Sequence, residues 1–260
     1  MRYVHRFKVV VTVLLCGLVF PAVTACHSTP EPSAYDYVRV FVHGQGVLGV
    51  SAKYTDPTRI AVFFHGLDQT EKVLLDDAHR PLVDTLVNAG FAVVAGDAGG
   101  NAFGNSDSQS DYLGLIGFAQ AHYGGPLPMY FIAESMGAAA ATIIYATTPD
   151  LNVQGLAGIS PALDYQSVPD GLQPAITAAY APRSPESANP MAIAPKLLAG
   201  KHFRFWASDT DTMVPAALNA TAFQRKFGAV ADVTVETCTG EHADPSCMPA
   251  EPILDWLNRL

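Results

Sequence analysis

Ser135 sits between an apolar run, 129–133, and an alanine-rich stretch, within Ala133-Glu134-Ser135-Met136-Gly137. A strand that turns at once into a helix needs small residues two positions either side of the serine. The turn is tight, holds the serine in strained backbone and sets its hydroxyl at a helix N-terminus, where N–H groups favour developing negative charge. Asp209 and Asp211 come after the run 202–207, and His242 after the run 232–237. Hydroxyl, imidazole and carboxylate are the parts of nucleophilic catalysis: the imidazole takes the hydroxyl's proton and the carboxylate orients the imidazole. One or both aspartates could instead cap a helix beginning at Pro215.

Of the eight histidines, His242 alone lies on a late loop after a strand. His5 and His27 belong to the N-terminal segment, His43 to a hairpin, His79 and His122 to helical stretches, and His202 opens a strand. Surface or capping roles account for these more simply than proton transfer. Cys238 and Cys247, nine residues apart, bracket His242 in a loop that contains Gly240 and Pro245. They are expected to form a disulfide in an oxidising compartment, since two thiols and one nearby histidine make a poor metal site.

The runs that carry these residues belong to a longer alternation. Strands are expected at 35–42, 47–54, 59–64, 91–95, 129–133, 156–160, 202–207 and 232–237, the first two forming a hairpin across His43-Gly44-Gln45-Gly46. Helices are expected at 69–88 (kinked or divided by Pro81 and closed by Gly90), 112–122, 136–147, 215–227 and 252–260. Strands alternating with helices imply an α/β domain with a mainly parallel sheet covered on both faces, and chemistry at the carboxyl ends of the strands. The composition agrees: 49% hydrophobic and 10% aromatic residues exclude disorder. Fifteen basic against 24 acidic residues, net −9, leaves no basic face for nucleic acid.

Five segments, in order, resemble the α/β-hydrolase family of serine esterases and lipases. Phe63-Phe64-His65-Gly66-Leu67 is similar to its H-G-x segment after the third strand, and the stretch from Gly96-Asp97 to Phe103-Gly104-Asn105-Ser106-Asp107 to its loop after the fourth. Ala133-Glu134-Ser135-Met136-Gly137 resembles the G-x-S-x-G nucleophile elbow, with Ala133 replacing the first glycine. Asp211-Thr212-Met213-Val214-Pro215 resembles the acid loop D-x-x-V-P, and Gly240-Glu241-His242 the G-x-H after the last strand. The resemblance implies an eight-stranded α/β-hydrolase fold over residues 35–260, and Ser135, Asp211 and His242 as a triad in the family's order, Asp209 remaining an alternative acid. It further implies backbone N–H groups of Leu67 and Met136 as the oxyanion hole, His65 as a structural hydrogen-bonding residue, and no metal or organic cofactor.

Between the sixth and seventh strands, residues 161–197 contain seven prolines, too many for a long helix. In this fold that connection commonly hosts a lid, and Tyr165, Leu172, Ile176, Tyr180 and Met191 are expected to wall a pocket for a small or medium ester, or else only to seal the core. The reaction implied is ester cleavage through an acyl-enzyme. An acyltransferase on the same triad, or a peptidase or non-catalytic binding protein on the same scaffold, remain alternatives.

The N-terminus reads as an export label. Arg2, Arg6 and Lys8 precede an apolar stretch over 9–23 that is short for a membrane span. Val23-Thr24-Ala25-Cys26 resembles the bacterial lipobox, which implies a signal peptide over 1–25, acylation of Cys26, a tether over 26–34 and attachment to the lipid bilayer of the cell envelope.

Overall fold

Residues 34–260 are described by a computed structural model, leaving aside the side chains of 186 and 187. The expected signal peptide, Cys26 and all of the tether but Ala34 lie outside the described residues. No helix among the described residues is long and apolar enough to cross a membrane.

Strands β1 (Tyr35–Val42) and β2 (Gln45–Ala52) form the expected hairpin, turning on His43 and Gly44 at φ 52° and 81°. Positive φ at both central residues gives the twist a two-residue hairpin requires. Next come β3 (Arg59–Phe64), β4 (Phe91–Gly96), β5 (Met129–Glu134), β6 (Val153–Ile159), β7 (His202–Ser208) and β8 (Asp232–Cys238). The eight strands lie in the order β1-β2-β4-β3-β5-β6-β7-β8, with β3 to β8 parallel and the hairpin joined antiparallel to β4. This is the sheet the sequence implied. Its central strands are buried on both faces, as an apolar run such as Phe-Ala-Val-Val-Ala in β4 demands.

One face is covered by α1 (Arg80–Asn88) and α6 (Ala250–Leu257), packed on Val93, Tyr130 and Ile132. The other is covered by α2 (Ser106–His122), α3 (Gly137–Thr147) and α5 (Ala220–Phe227), packed on Val94, Phe131 and Ala133. Successive residues of β5 therefore serve opposite layers. The alanines of α3 let it approach the sheet closely, and all residues from Gly137 to Ala146 are buried.

Several boundaries differ from expectation. Pro81 divides the helix expected at 69–88: a 3-10 turn covers Glu71–Leu75 and α1 takes Pro81 into its first turn, where a missing N–H costs nothing. Helix α2 begins six residues before expected, because Asn105 caps it by accepting the Ser108 N–H at 2.9 Å. Helix α5 begins at Ala220 rather than Pro215. The residues between form turns that place the Asn219 carboxamide oxygen 2.9 and 3.0 Å from the N–H groups of Leu163 and Asp164, pinning the start of the 161–197 segment. That segment is folded as α4 (Gln173–Tyr180) and short 3-10 turns.

Candidate active site

At the carboxyl ends of β5, β7 and β8, three side chains from distant parts of the chain meet. Ser135 Oγ lies 2.7 Å from His242 Nε2, and His242 Nδ1 lies 2.7 Å from Asp211 Oδ2. Asp211 is 3% exposed, and its Oδ1 accepts the N–H groups of Met213 and Val214 at 2.9 and 2.8 Å. The loop that holds it thus ties one carboxylate oxygen to backbone and leaves the other for the imidazole. Asp209, the alternative acid, is exposed.

Ser135 has φ 47°, a left-handed conformation that costs a non-glycine residue roughly 1–3 kcal/mol. The surrounding structure holds it there: Ser135 N–H donates to Ile159 O at 2.9 Å, and Ala162 N–H donates to Ser135 O at 3.0 Å. The two small positions of the elbow differ in strictness. Ala133 is fully buried with its methyl in the core, whereas a Cβ at Gly137 would lie 2.3 Å from Phe64 O. Glycine is required on the helix side, and alanine fits on the strand side.

The His242 loop is fixed at both ends. Cys238 and Cys247 are joined by the expected disulfide. Ser208 Oγ and Thr210 Oγ1 donate to Gly240 O at 2.6 and 2.7 Å, and Ala243 N–H donates to Ser160 Oγ at 3.2 Å. On the other side of Ser135, a Cβ at Gly66 would stand 3.6 Å from Ser135 Cβ, so the 66–69 turn abuts the serine. Neither Leu67 N–H nor Met136 N–H has an acceptor among the described residues. His65 is buried, with Nδ1 and Nε2 at 2.8 and 2.9 Å from the carbonyl oxygens of Gly66 and Asp97, which links the ends of β3 and β4.

An apolar pocket opens at Ser135, lined by Leu67 and Met136 together with Phe103, Ala162, Tyr165, Val168, Leu172, Met213 and Val214. Tyr165 and Leu172 were expected there. Ile176 and Tyr180 stand behind them in the same apolar cluster, while Met191 packs against the main core instead. The hydroxyls of Tyr165 and Tyr180 both donate to Phe103 O, the second at 2.6 Å. Burial raises both phenols, with Tyr180 pushed up to about 12.

Two residues were misread or missed. His79, expected at the surface or as a cap, is 5% exposed and lies 2.7 Å from Glu134 Oε2. Glu134 itself is buried immediately before the serine. Its signal in the sequence is a carboxylate at the end of an otherwise apolar strand, although nothing there identifies the partner.

Comparison with known proteins gives a consistent picture. The model of the family described as serine aminopeptidase, S33 (Hydrolase_4) matches residues 55–233. No curated protein is a significant match in sequence. Among solved structures, TT1662 from Thermus thermophilus aligns at TM-score 0.63 and 15% identity, covering 86% of this chain and 97% of its own. Est1E from Butyrivibrio proteoclasticus aligns at 0.63 and 14%, covering 86% and 98%. The Pyrococcus furiosus esterase Pf2001 aligns at 0.64 and 16%, covering 86% and 92%. At these identities the likeness is one of fold.

Proposed function

The chain belongs to the serine aminopeptidase S33 (Hydrolase_4) family of α/β-hydrolases, and within it we propose a serine hydrolase that cleaves carboxylic esters through an acyl-enzyme on Ser135. The observation that carries this reading is the unbroken relay of two 2.7 Å contacts from Ser135 through His242 to Asp211. His242 Nε2 takes the hydroxyl proton as Oγ bonds to the ester carbon, and Asp211 steadies the imidazolium. The N–H groups of Leu67 and Met136 bind the oxyanion. His242 returns the proton to the leaving alcohol as the C–O bond breaks, then activates a water that frees the acid and regenerates Ser135.

Esters are favoured over peptide N-termini by the pocket chemistry. An ammonium group needs a carboxylate partner, and the pocket's lining residues include none. The fold likeness to the Pyrococcus furiosus esterase Pf2001 supports the same choice. Measuring p-nitrophenyl acetate beside an aminoacyl p-nitroanilide tests the choice. Turnover of the ester and not the anilide is expected, and the reverse preference would overturn it.

The enzyme is exported and held at the bacterial envelope by lipid on Cys26. The lipobox-like Val23-Thr24-Ala25-Cys26 and a disulfide suited to an oxidising compartment support this. Mass spectrometry of the membrane fraction is expected to find acylated Cys26 at the N-terminus, and an intact Met1 or unmodified Cys26 would refute it.

A further inference from the structure

Glu134 precedes the nucleophile yet lies outside the relay of Ser135, His242 and Asp211. Alternation along β5 turns its side chain with Ile132 toward the layer of α1 and α6, a face otherwise lined with apolar groups. A carboxylate taken out of water there persists only with partners. It has two. His79 Nε2 lies 2.7 Å from Oε2, and Gln69 Nε2 donates to Oε2 and Oε1 at 3.2 and 3.3 Å.

The opposite end of Gln69 reaches the catalytic loop: its Oε1 accepts the Gly66 N–H at 2.7 Å. One amide orientation satisfies both ends, carbonyl toward the backbone donor and NH2 toward the carboxylate. Glu134 dictates that orientation, because an acceptor-only group faces it. The next backbone amide is that of Leu67, and Asp68, at φ 60°, is tied on the far side by reciprocal 2.7 Å bonds with Asn101.

We infer that Glu134 is a positioning residue for the oxyanion hole: braced by His79, it sets the Gln69 carboxamide, which holds Gly66 and so aims the Leu67 N–H at the reacting oxygen. The inference rests on Ser135 being the nucleophile, as proposed above, but not on which ester is the substrate.

The test is the rate at which a fluorophosphonate labels Ser135, because phosphonylation uses the nucleophile and oxyanion hole without the natural substrate. In Glu134→Gln, an oxygen kept on His79 turns the new NH2 toward the Gln69 NH2, donor against donor, so Gln69 turns over or loses Gly66. The maximal labelling rate, kinact, is expected to fall about 10- to 50-fold with KI within twofold, below the 100- to 1,000-fold cost of deleting an oxyanion donor. Gln69→Glu sets two carboxylates together and is expected to fall similarly. The double variant Glu134→Gln/Gln69→Glu restores every donor–acceptor pair with the charge moved one residue over, and is expected to recover labelling to within about threefold of wild type. Thermal unfolding of each variant separates misfolding from misaiming.

Folded single variants that label at the wild-type rate would overturn the inference, as would a folded double variant no faster than the singles. A wild type unlabelled at Ser135 would overturn the nucleophile assignment and this inference with it. A labelled wild type that turns over no ester would contradict only the substrate class.

Discussion

Two carboxylate–imidazole pairs flank the turn at Ser135, each closed to 2.7 Å: Asp211–His242, partly buried, and Glu134–His79, buried. They differ in what the far nitrogen meets. His242 Nε2 faces the serine hydroxyl at 2.7 Å, whereas His79 Nδ1 has no hydrogen-bond partner and lies 3.8 Å from the half-exposed Asp76 carboxylate. A proton can therefore be exchanged with a hydroxyl through the first pair, and the second has no nucleophile at its far end. In the function proposed above, the same two functional groups make a relay in one place and a brace in the other. Surroundings, not residue type, decide the role.

The largest effect that would break this contrast comes from Ser135→Ala, expected to cut kcat by about 10^5-fold or more with an unchanged far-ultraviolet spectrum. Residual turnover near wild type would mean that the first pair takes no catalytic proton from Ser135. Asp211→Asn follows, with kcat down about 10^3- to 10^4-fold and the thermal midpoint little changed, because the asparagine oxygen can still accept the backbone donors. His79→Asn sharpens the difference by reversing the balance. It leaves the Glu134 charge short of its closest partner, so urea titration should show a loss of about 3 kcal/mol, with activity reduced only tens-fold.

A smaller effect is expected of the disulfide. Replacing Cys238 and Cys247 by alanine frees the His242 loop, and the nine-residue separation limits the stability cost to about 2–3 kcal/mol. Activity should fall more steeply than stability; equal proportional losses would remove the bond from any role in holding the base. The smallest effect concerns the two tyrosines on Phe103 O. Their raised pKa values mean that folding favours the neutral phenols, so this contribution is full below the unfolded value of about 10 and is lost as pH rises toward 12. Absorbance titration should show Tyr165 and Tyr180 ionising only as the segment around them loosens. Ionisation near pH 10 in the intact protein would contradict their burial.

Much of this was legible in the chain itself, for physical reasons. The buried strands announce themselves as short apolar runs, and the polar residues that follow them stand at one end of a parallel sheet. Asp211 separates from Asp209 only in three dimensions, because both follow the same strand and two residues of loop decide which is buried. The start of α2 was missed because its first turn, Ser106-Asp107-Ser108-Gln109, is wholly polar and only the cap at Asn105 marks it. Glu134 and His79 were missed for a deeper reason. They lie 55 residues apart, on a strand and at a helix start, and no local pattern couples them. Met191 took the second of its two readings, sealing the core, because an apolar residue in a proline-rich stretch carries no label for the surface it joins.

The central claim is that Ser135 is an activated nucleophile. Its most direct test is labelling of the wild-type protein with a fluorophosphonate, followed by mass mapping of the modified peptide. One adduct on Ser135, abolished in Ser135→Ala and greatly slowed in Asp211→Asn, is the predicted result. No adduct, or an adduct on another residue that persists when Ser135 is replaced, would contradict the account.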